Sequence, residues 1–280
     1  MIAITNLSFA YRHKPPLFAN LDLSLAPGNI YGLLGKNGAG KTTLLKIIAG
    51  ALFSQRGECA VFTENPAKRT PRFLRDIFFI PEDFSVPPLT ARGFADLYAP
   101  FYPRFNRDEF ASHLAEFQLS PGERLGSLSF GQKKKFLIAF GLASNCRLLI
   151  LDEPTNGLDI PSKSQFRKLV AASLSEEKSF IISTHQVRDL ESLIDPVVIL
   201  DEGRIIFNRP MAEVMKCLAV SLSHDEPDPA TVIYAEKVLG GYTVLERNRD
   251  GREAMIDLEL LFNASVNARE KLARALERKE

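Results

Sequence analysis

The sequence predicts an α/β fold in which a mostly parallel sheet is covered by helices on both faces and carries a helical insertion. Three observations predict it. The runs Leu148 to Leu151, Phe180 to Ser183 and Val197 to Leu200 are apolar almost throughout rather than alternating, the pattern of strands buried on both sides. Helix-type segments separate them, as parallel connections require. A glycine-rich turn, Gly35 to Thr42, follows one such strand and opens a helix.

In chain order, Ile2 to Phe9, Leu21 to Leu25 and Ile30 to Leu34 read as strands, the last behind the turn dipeptide Pro27-Gly28. A helix over Lys41 to Ala49 is expected to stop at Gly50, where a residue free to adopt positive φ ends it. Cys59 to Phe62 and Ile77 to Ile80 are further strands. Between Phe84 and Asn145 the pattern turns helical. Thr90 starts one helix behind Pro87-Pro88, and Asn106 with Glu109 has capping-box spacing for a second that runs through Leu119. Ser129 with Gln132 repeats the spacing before the apolar segment Phe136 to Ala143. Aromatics crowd this block (Phe84, Phe94, Tyr98, Phe101, Tyr102, Phe105 and Phe110) and are expected mostly to pack it. Helices over Ser162 to Leu174 and Gln186 to Leu193 flank the later strands. Beyond about residue 215 the expectation is a hairpin, Tyr242 to Arg247 and Arg252 to Asp257 around an Asp-Gly turn, followed by a helix over Asn263 to Glu280.

Composition bounds the function. The 280 residues include 35 Lys+Arg against 34 Asp+Glu, a formal charge of +1, so the electrostatic footprint of a dedicated nucleic-acid binder is lacking and no nucleic-acid partner is expected. Hydrophobic content of 45% with 25% charged residues suits a folded globular chain. No apolar run reaches about 18 residues, and the N-terminal stretch does not read as a signal peptide. Cys59, Cys146 and Cys217 are widely spaced and form no CxxC pair, which suits reduced thiols rather than a zinc site or disulfides. Nor does any repeat point to a solenoid.

Gly35-Lys36-Asn37-Gly38-Ala39-Gly40-Lys41-Thr42 matches G-x-x-x-x-G-K-[ST], the P-loop pattern. Its glycines let backbone N–H groups converge on phosphate oxygens, and the helix N-terminus adds a favourable dipole. Lys41 is placed for the β- and γ-phosphates, Thr42 for a magnesium ion, and Thr43 for the α-phosphate. The strand Leu148 to Leu151 ends in Asp152 and Glu153. Ligands of open α/β sheets sit beyond the carboxyl ends of strands, so these acids should face the phosphate loop. Asp152 is then expected in the magnesium shell, and Glu153 as the group that polarises an attacking water.

Three further segments resemble a family. Leu128-Ser129-Phe130-Gly131-Gln132 resembles the LSGGQ signature of ABC ATPases, Pro154 to Asp159 its D-loop, and Ser183-Thr184-His185 its switch histidine. Their order matches from about residue 1 to residue 210, so the chain resembles the ATP-binding subunit of an ABC transporter, including subunits of bacitracin-resistance exporters. The resemblance implies a RecA-like P-loop NTPase core with an N-terminal antiparallel β subdomain, a helical signature subdomain at about 84–145 within an ATPase domain of 1–215, and an α+β extension over 216–280. It implies ATP and Mg2+ as cofactors and catalytic roles for Lys41, Glu153 and His185. ATP contacts fall to Gly35, Asn37, Gly38, Ala39, Gly40, Lys41, Thr42 and Thr43, with Tyr11, or alternatively Phe9, against adenine. Magnesium contacts fall to Thr42, Glu82 and Asp152. Ser129, Phe130, Gly131 and Gln132 would complete the site of a second copy or a homologous ATPase, with Asp159 in the D-loop. A separate transmembrane permease is the implied partner, at the inner face of the cell membrane, with export the expected direction.

The chain also departs from the pattern. Glu82 stands where most members carry glutamine, and Phe130 where they carry glycine. Lys133, Lys134 and Lys135 follow the signature, and read first as a solvated helix face, with help for phosphate binding as the alternative. A soluble ABC ATPase working in assembly or on nucleic acid is the alternative function. For 216–280 the reading is a dimerisation or regulatory module.

Overall fold

The computed structural model describes residues 1–248 and 256–277. Three strands open the chain: β1 (Ile2–Ala10), β2 (Pro16–Leu25) and β3 (Ile30–Leu34). In β1 and β2 the residues Ile2, Ile4, Leu7, Phe9, Phe18, Leu21, Leu23 and Leu25 are buried while their neighbours face solvent, the period-2 signature of a sheet wet on one side. These strands pair antiparallel, and β4 (Arg56–Val61) adds to the other edge of β1. The expected strand Cys59 to Phe62 thus begins earlier and stops before Phe62, whose φ of 53° turns the chain away.

The central sheet has the order β5-β6-β7-β3-β8-β9, with β5 (Ile77–Ile80), β6 (Leu148–Asp152), β7 (Ser179–Thr184), β8 (Val197–Asp201) and β9 (Arg204–Arg209). All neighbours run parallel except β9, which lies antiparallel on β8. Strands β3, β6 and β7 are buried at every position. Their residues divide by parity. Leu148 and Ile150 join the core under α1 (Lys41–Ile48) and the antiparallel sheet. Leu149 and Leu151 join the core on the other face. The two-sided burial expected from the apolar runs is therefore the observed architecture.

The second face is covered by α3 (Ala91–Tyr98), α4 (Arg107–Glu116), α5 (Phe130–Ala143) and α6 (Ile160–Ala172); a short α2 (Pro71–Leu74) precedes β5. Side-chain caps fix where these helices begin: Thr90 accepts from the Gly93 N–H, Asn106 from Asp108 and Glu109, and Asp159 from Ser162. Ser129 and Gln132 form the full reciprocal box, so α5 starts at Phe130, six residues ahead of the apolar run. Helix α4 ends before Leu119 because Gln118 takes a φ of 57°. Phe136 and Phe140 of α5 meet Phe94 edge-on, both at 5.0 Å between ring centroids, and Tyr102, Phe105 and Phe110 also pack on Phe140. Each such ring contributes about 1.5–3 kcal/mol by leaving water. The aromatic crowding mostly makes this core, whereas Phe101 stays 66% exposed.

After His185 the expected helix is a single 3-10 turn, Val187–Asp189. Side chains from elsewhere hold this segment: Lys163 pairs with Asp189 at 2.6 Å, and Arg167 donates to the Asp189 carbonyl at 2.9 Å. Beyond α7 (Met211–Cys217), a second antiparallel sheet forms from β10 (Leu218–Ser223), β11 (Tyr234–Val238) and β12 (Gly241–Arg247), in the order β10-β12-β11. The hairpin turn and most of the strand expected after it, 249–255, lie outside the described residues. Asp257, expected in that strand, instead caps α8 (Leu258–Asn267), accepting from the Glu259 and Leu260 N–H groups. The single late helix is two, α8 and α9 (Arg269–Leu276), divided at Ala268; residues 278–280, the end of the expected helix, lie outside the described residues. Leu258, Leu260, Leu261 and Ala264 of α8 belong to the same buried core as Val197 and Ile199 of β8.

Candidate functional site

Register decides which side chains meet. Strands β3, β7 and β6 are neighbours with Leu34 opposite Thr184 and Asp152 opposite Ser183. The residues just past these positions, Gly35, His185 and Glu153, must then emerge at one edge of the sheet. The phosphate loop crosses that edge into α1. Gly40, the N-cap of α1, has a φ of 108°, and a Cβ on it would stand 2.7 Å from the Phe18 ring. Both the conformation and the contact demand glycine there.

Lys41 is 7% exposed. Its ammonium donates to the Gly35 carbonyl at 2.7 Å and to that of Lys36 at 3.3 Å. Burial pushes its pKa down, while Glu153, Asp152 and Glu82 act in the opposite direction. Glu153, 3% exposed, faces it at 3.9 Å and receives His185 Nδ1 at 2.8 Å on the same Oε1. The main chain of Glu153 is left-handed, φ 47°, which costs a non-glycine residue about 1–2 kcal/mol and needs support. Support comes from both sides: the Glu153 N–H donates to Ser183 Oγ at 3.1 Å, and the Glu153 carbonyl accepts from Lys134 Nζ at 3.0 Å.

Asp152 is fully buried, and its Oδ1 accepts from the Ser183 hydroxyl. Among the described residues its Oδ2 has no hydrogen-bond partner. A buried carboxylate oxygen left without a donor suits a hard cation, so the donor chemistry fits magnesium; Thr42 and Glu82 line the cavity beside the phosphate loop, as does Glu153, the residue next to Asp152. Glu82 is exposed and accepts from Asn156 Nδ2 at 3.1 Å, which ties it to the D-loop segment.

The cavity beside the phosphate loop measures about 660 Å3 and brings together Tyr11, Asn37, Gly38, Gly40, Lys41, Thr42, Thr43, Glu82, Glu153 and His185. Tyr11 is 40% exposed at its rim and shares a 2.9 Å hydrogen bond with the Thr43 hydroxyl. Phe9, the alternative aromatic, is buried and meets Tyr11 edge-on at 4.9 Å. It is a core residue beneath the rim.

The signature is not brought to this cavity within the chain. Ser129 and Phe130 are exposed, and none of Ser129, Phe130, Gly131 or Gln132 lines it. Phe130 instead stacks on Phe84 with centroids 5.0 Å apart, and a Cβ on Gly131 would stand 2.5 Å from the Gly157 carbonyl. Asp159, also exposed, caps α6.

Lys134 corrects the sequence reading. Expected among lysines on a solvated face, it is 0% exposed, and only Lys133 and Lys135 fit that description in part. Ser183 and Asn156 lie in the switch and D-loop segments, but the sequence assigns neither a contact of its own. Ser183 could have been found by aligning Asp152 with its neighbour across parallel strands; Asn156 carried no signal.

Residues 18–156 match the family described as ABC transporter. The bacitracin transport ATP-binding protein BcrA of Bacillus licheniformis is 34% identical over 224 residues, covering 77% of this chain and 72% of its own. The zinc uptake system ATP-binding protein ZurA of Listeria monocytogenes is 30% identical over 236 residues, covering 78% and 89%. Among solved structures, an ATP-binding subunit of an ABC transporter superposes with a TM-score of 0.70 at 25% identity, over 76% of this chain and 91% of that one.

Proposed function

This chain belongs to the ABC transporter family as one of its ATP-binding, ATP-hydrolysing subunits, and we propose that it powers a separate membrane permease by closing on a second copy around ATP. The observation that carries the reading is the position of Glu153 Oε1, 2.8 Å from His185 Nδ1 and 3.9 Å from Lys41 Nζ at the edge of the phosphate-loop cavity.

In this reading Gly35, Asn37, Gly38, Ala39 and Gly40 present backbone N–H groups to the phosphates, Lys41 neutralises the β- and γ-phosphates, and Thr43 meets the α-phosphate. Tyr11 stacks on adenine. Thr42, Asp152 and Glu82 would hold magnesium, which would offset phosphate charge. Glu153 takes a proton from the water whose oxygen bonds to the γ-phosphorus, while the bond from that phosphorus to the bridging oxygen of ADP breaks. His185 orients Glu153 and reaches the γ-phosphate. Ser129, Phe130, Gly131 and Gln132 of one copy complete the site of the other, with Asp159 at the seam. The exposure of Ser129, Phe130 and Asp159, and the fact that none of the five lines its own chain's cavity, favour a role across two copies. Loss of the γ-phosphate contacts lets the copies part.

The likeness to transporter ATP-binding subunits favours the cytoplasmic face of the membrane as its place of work. None of its described helices is long and apolar enough to cross a membrane. Export is the direction favoured by the resemblance to exporter subunits.

Glu153→Gln tests the reading. It should bind ATP, turn it over at about one per cent of the normal rate or less, and accumulate as an ATP-bound dimer on size exclusion. Normal turnover would remove Glu153 as the base.

A further inference from the structure

A lysine with no access to solvent is unusual, because an ammonium is strongly hydrated and its burial has to be compensated. Lys134 of α5 is 0% exposed. Among the described residues it makes no ion pair, and its hydrogen bond runs to a main-chain oxygen, that of Glu153, at 3.0 Å. Its Nζ lies 4.9 Å from the centre of the Phe130 ring and 6.0 Å from that of Phe84. Burial works against its charge, while Glu82, Glu153, Asp152 and Asp83 favour it from a distance. The site therefore holds two buried lysines, Lys41 facing the Glu153 carboxylate and Lys134 on its main-chain carbonyl.

The position of that hydrogen bond is what matters. Glu153 is left-handed, a conformation it would leave if unsupported. Strand β7 fixes its N–H through Ser183, and α5 fixes its carbonyl through Lys134. With both peptide groups held, the Cα–Cβ bond has one direction, and the carboxylate reaches His185 and Lys41. An apolar residue at 134 would leave the Glu153 carbonyl only its longer bond from the Asn156 N–H, at 3.3 Å, beside a strained residue, and the strain could then relax.

We propose that Lys134 is a positioning residue for hydrolysis: from the helix that begins at the signature, it holds the Glu153 carbonyl and so sets the direction of the Glu153 carboxylate. The inference deepens the reading above and rests on Glu153 being the base. It gives the signature helix a second task. Besides presenting Ser129 and Phe130 at its exposed start, the helix reaches the base of its own chain through Lys134.

The test uses the full chain and compares Lys134→Met, which fills the space without donating, with Lys134→Gln, which keeps an N–H donor and drops the charge. ATPase kinetics, binding of a fluorescent ATP analogue and thermal unfolding are measured on each. Lys134→Met should lose about tenfold or more in kcat, with KM and analogue affinity within about threefold of the parent; Lys134→Gln should recover a substantial part of the lost kcat. A merely structural lysine would lower Tm without this split. The proposal is overturned if Lys134→Met keeps kcat within about twofold, if its loss falls on affinity instead, or if Lys134→Gln does no better than the methionine variant. Lys134→Leu, shorter and equally unable to donate, decides the matter if the methionine variant does not fold. Glu153→Gln run alongside separates the two failures. Near-normal turnover there removes the base and this proposal with it, whereas an inactive Glu153→Gln beside a normal Lys134→Met overturns the positioning role alone.

Discussion

Glu153 and His185 face each other across the ends of β6 and β7, with Oε1 and Nδ1 2.8 Å apart, and the His185 N–H also points at the same carboxylate at 3.4 Å. The imidazole thus holds a carboxylate that also faces Lys41. His185→Ala removes that hold without touching the phosphate loop. We expect kcat to fall on the order of 10²-fold, with ATP affinity little changed. Undiminished turnover would show that Glu153 needs no imidazole beside it.

Tyr11 stands at the cavity rim with its hydroxyl on Thr43. If its ring carries adenine, Tyr11→Ala should forfeit a stacking contact worth about 1–3 kcal/mol. KM should then rise about tenfold while kcat holds, because the ring is remote from the bond that breaks. Tyr11→Phe keeps the ring and should bind almost normally. Equal affinity in the alanine variant, measured by nucleotide titration, would move adenine elsewhere.

Gly131 marks a close approach between the start of α5 and the D-loop segment, since an added Cβ would meet the Gly157 carbonyl at 2.5 Å. Backbone cannot give way as a flexible side chain does. Gly131→Ala should therefore destabilise the protein by about 1–3 kcal/mol, lowering Tm by about 2–4 °C for each kcal/mol in a chain of this size. ATP binding to a single copy should survive, because Gly131 does not line the cavity. Dimer formation by the Glu153→Gln background should weaken. An unchanged Tm and an unchanged dimer fraction would contradict the close approach.

His113 on α4 has an Nδ1 with no hydrogen-bond partner among the described residues, and burial pushes its pKa below 6.5, with Glu109 opposing and Lys178 assisting the shift. The native ring stays neutral at a pH where the unfolded ring takes a proton, so the unfolded state binds more protons there. Stability then falls as pH drops from the unfolded value of 6.5 toward the lower native one, and is unaffected above it. Thermal unfolding followed from about pH 7.5 to about pH 5.5 should show a steeper loss in the parent than in His113→Gln. Parallel curves would mean that the ring titrates alike in both states.

Features written in contiguous residues are legible in the sequence. The phosphate loop needs glycines, lysine and threonine at fixed offsets along one turn, and the caps at Thr90, Asn106 and Ser129 need only a side chain reaching two or three residues ahead. The apolar runs of β3, β6, β7 and β8 follow from burial on both faces. Less can be read where tertiary contacts overrule local preference. The segment after His185 looks helical by pattern, yet α6 holds it as a single turn. Strands β9, β10 and β11 are short or half-exposed, so their periodicity carries too little signal.

By itself the sequence determined which chemistry the chain carries: a phosphate cradle, an acidic strand end and a serine-capped helix, each specified by neighbours along the backbone. Only the tertiary structure decided which of those parts touch. Lys133, Lys134 and Lys135 are identical in type and adjacent in order, yet one ammonium is sealed behind Glu153 while its neighbours remain in part exposed to water. Helical geometry points successive side chains about 100° apart, and what each meets depends on the strand order and register of a sheet assembled from distant segments.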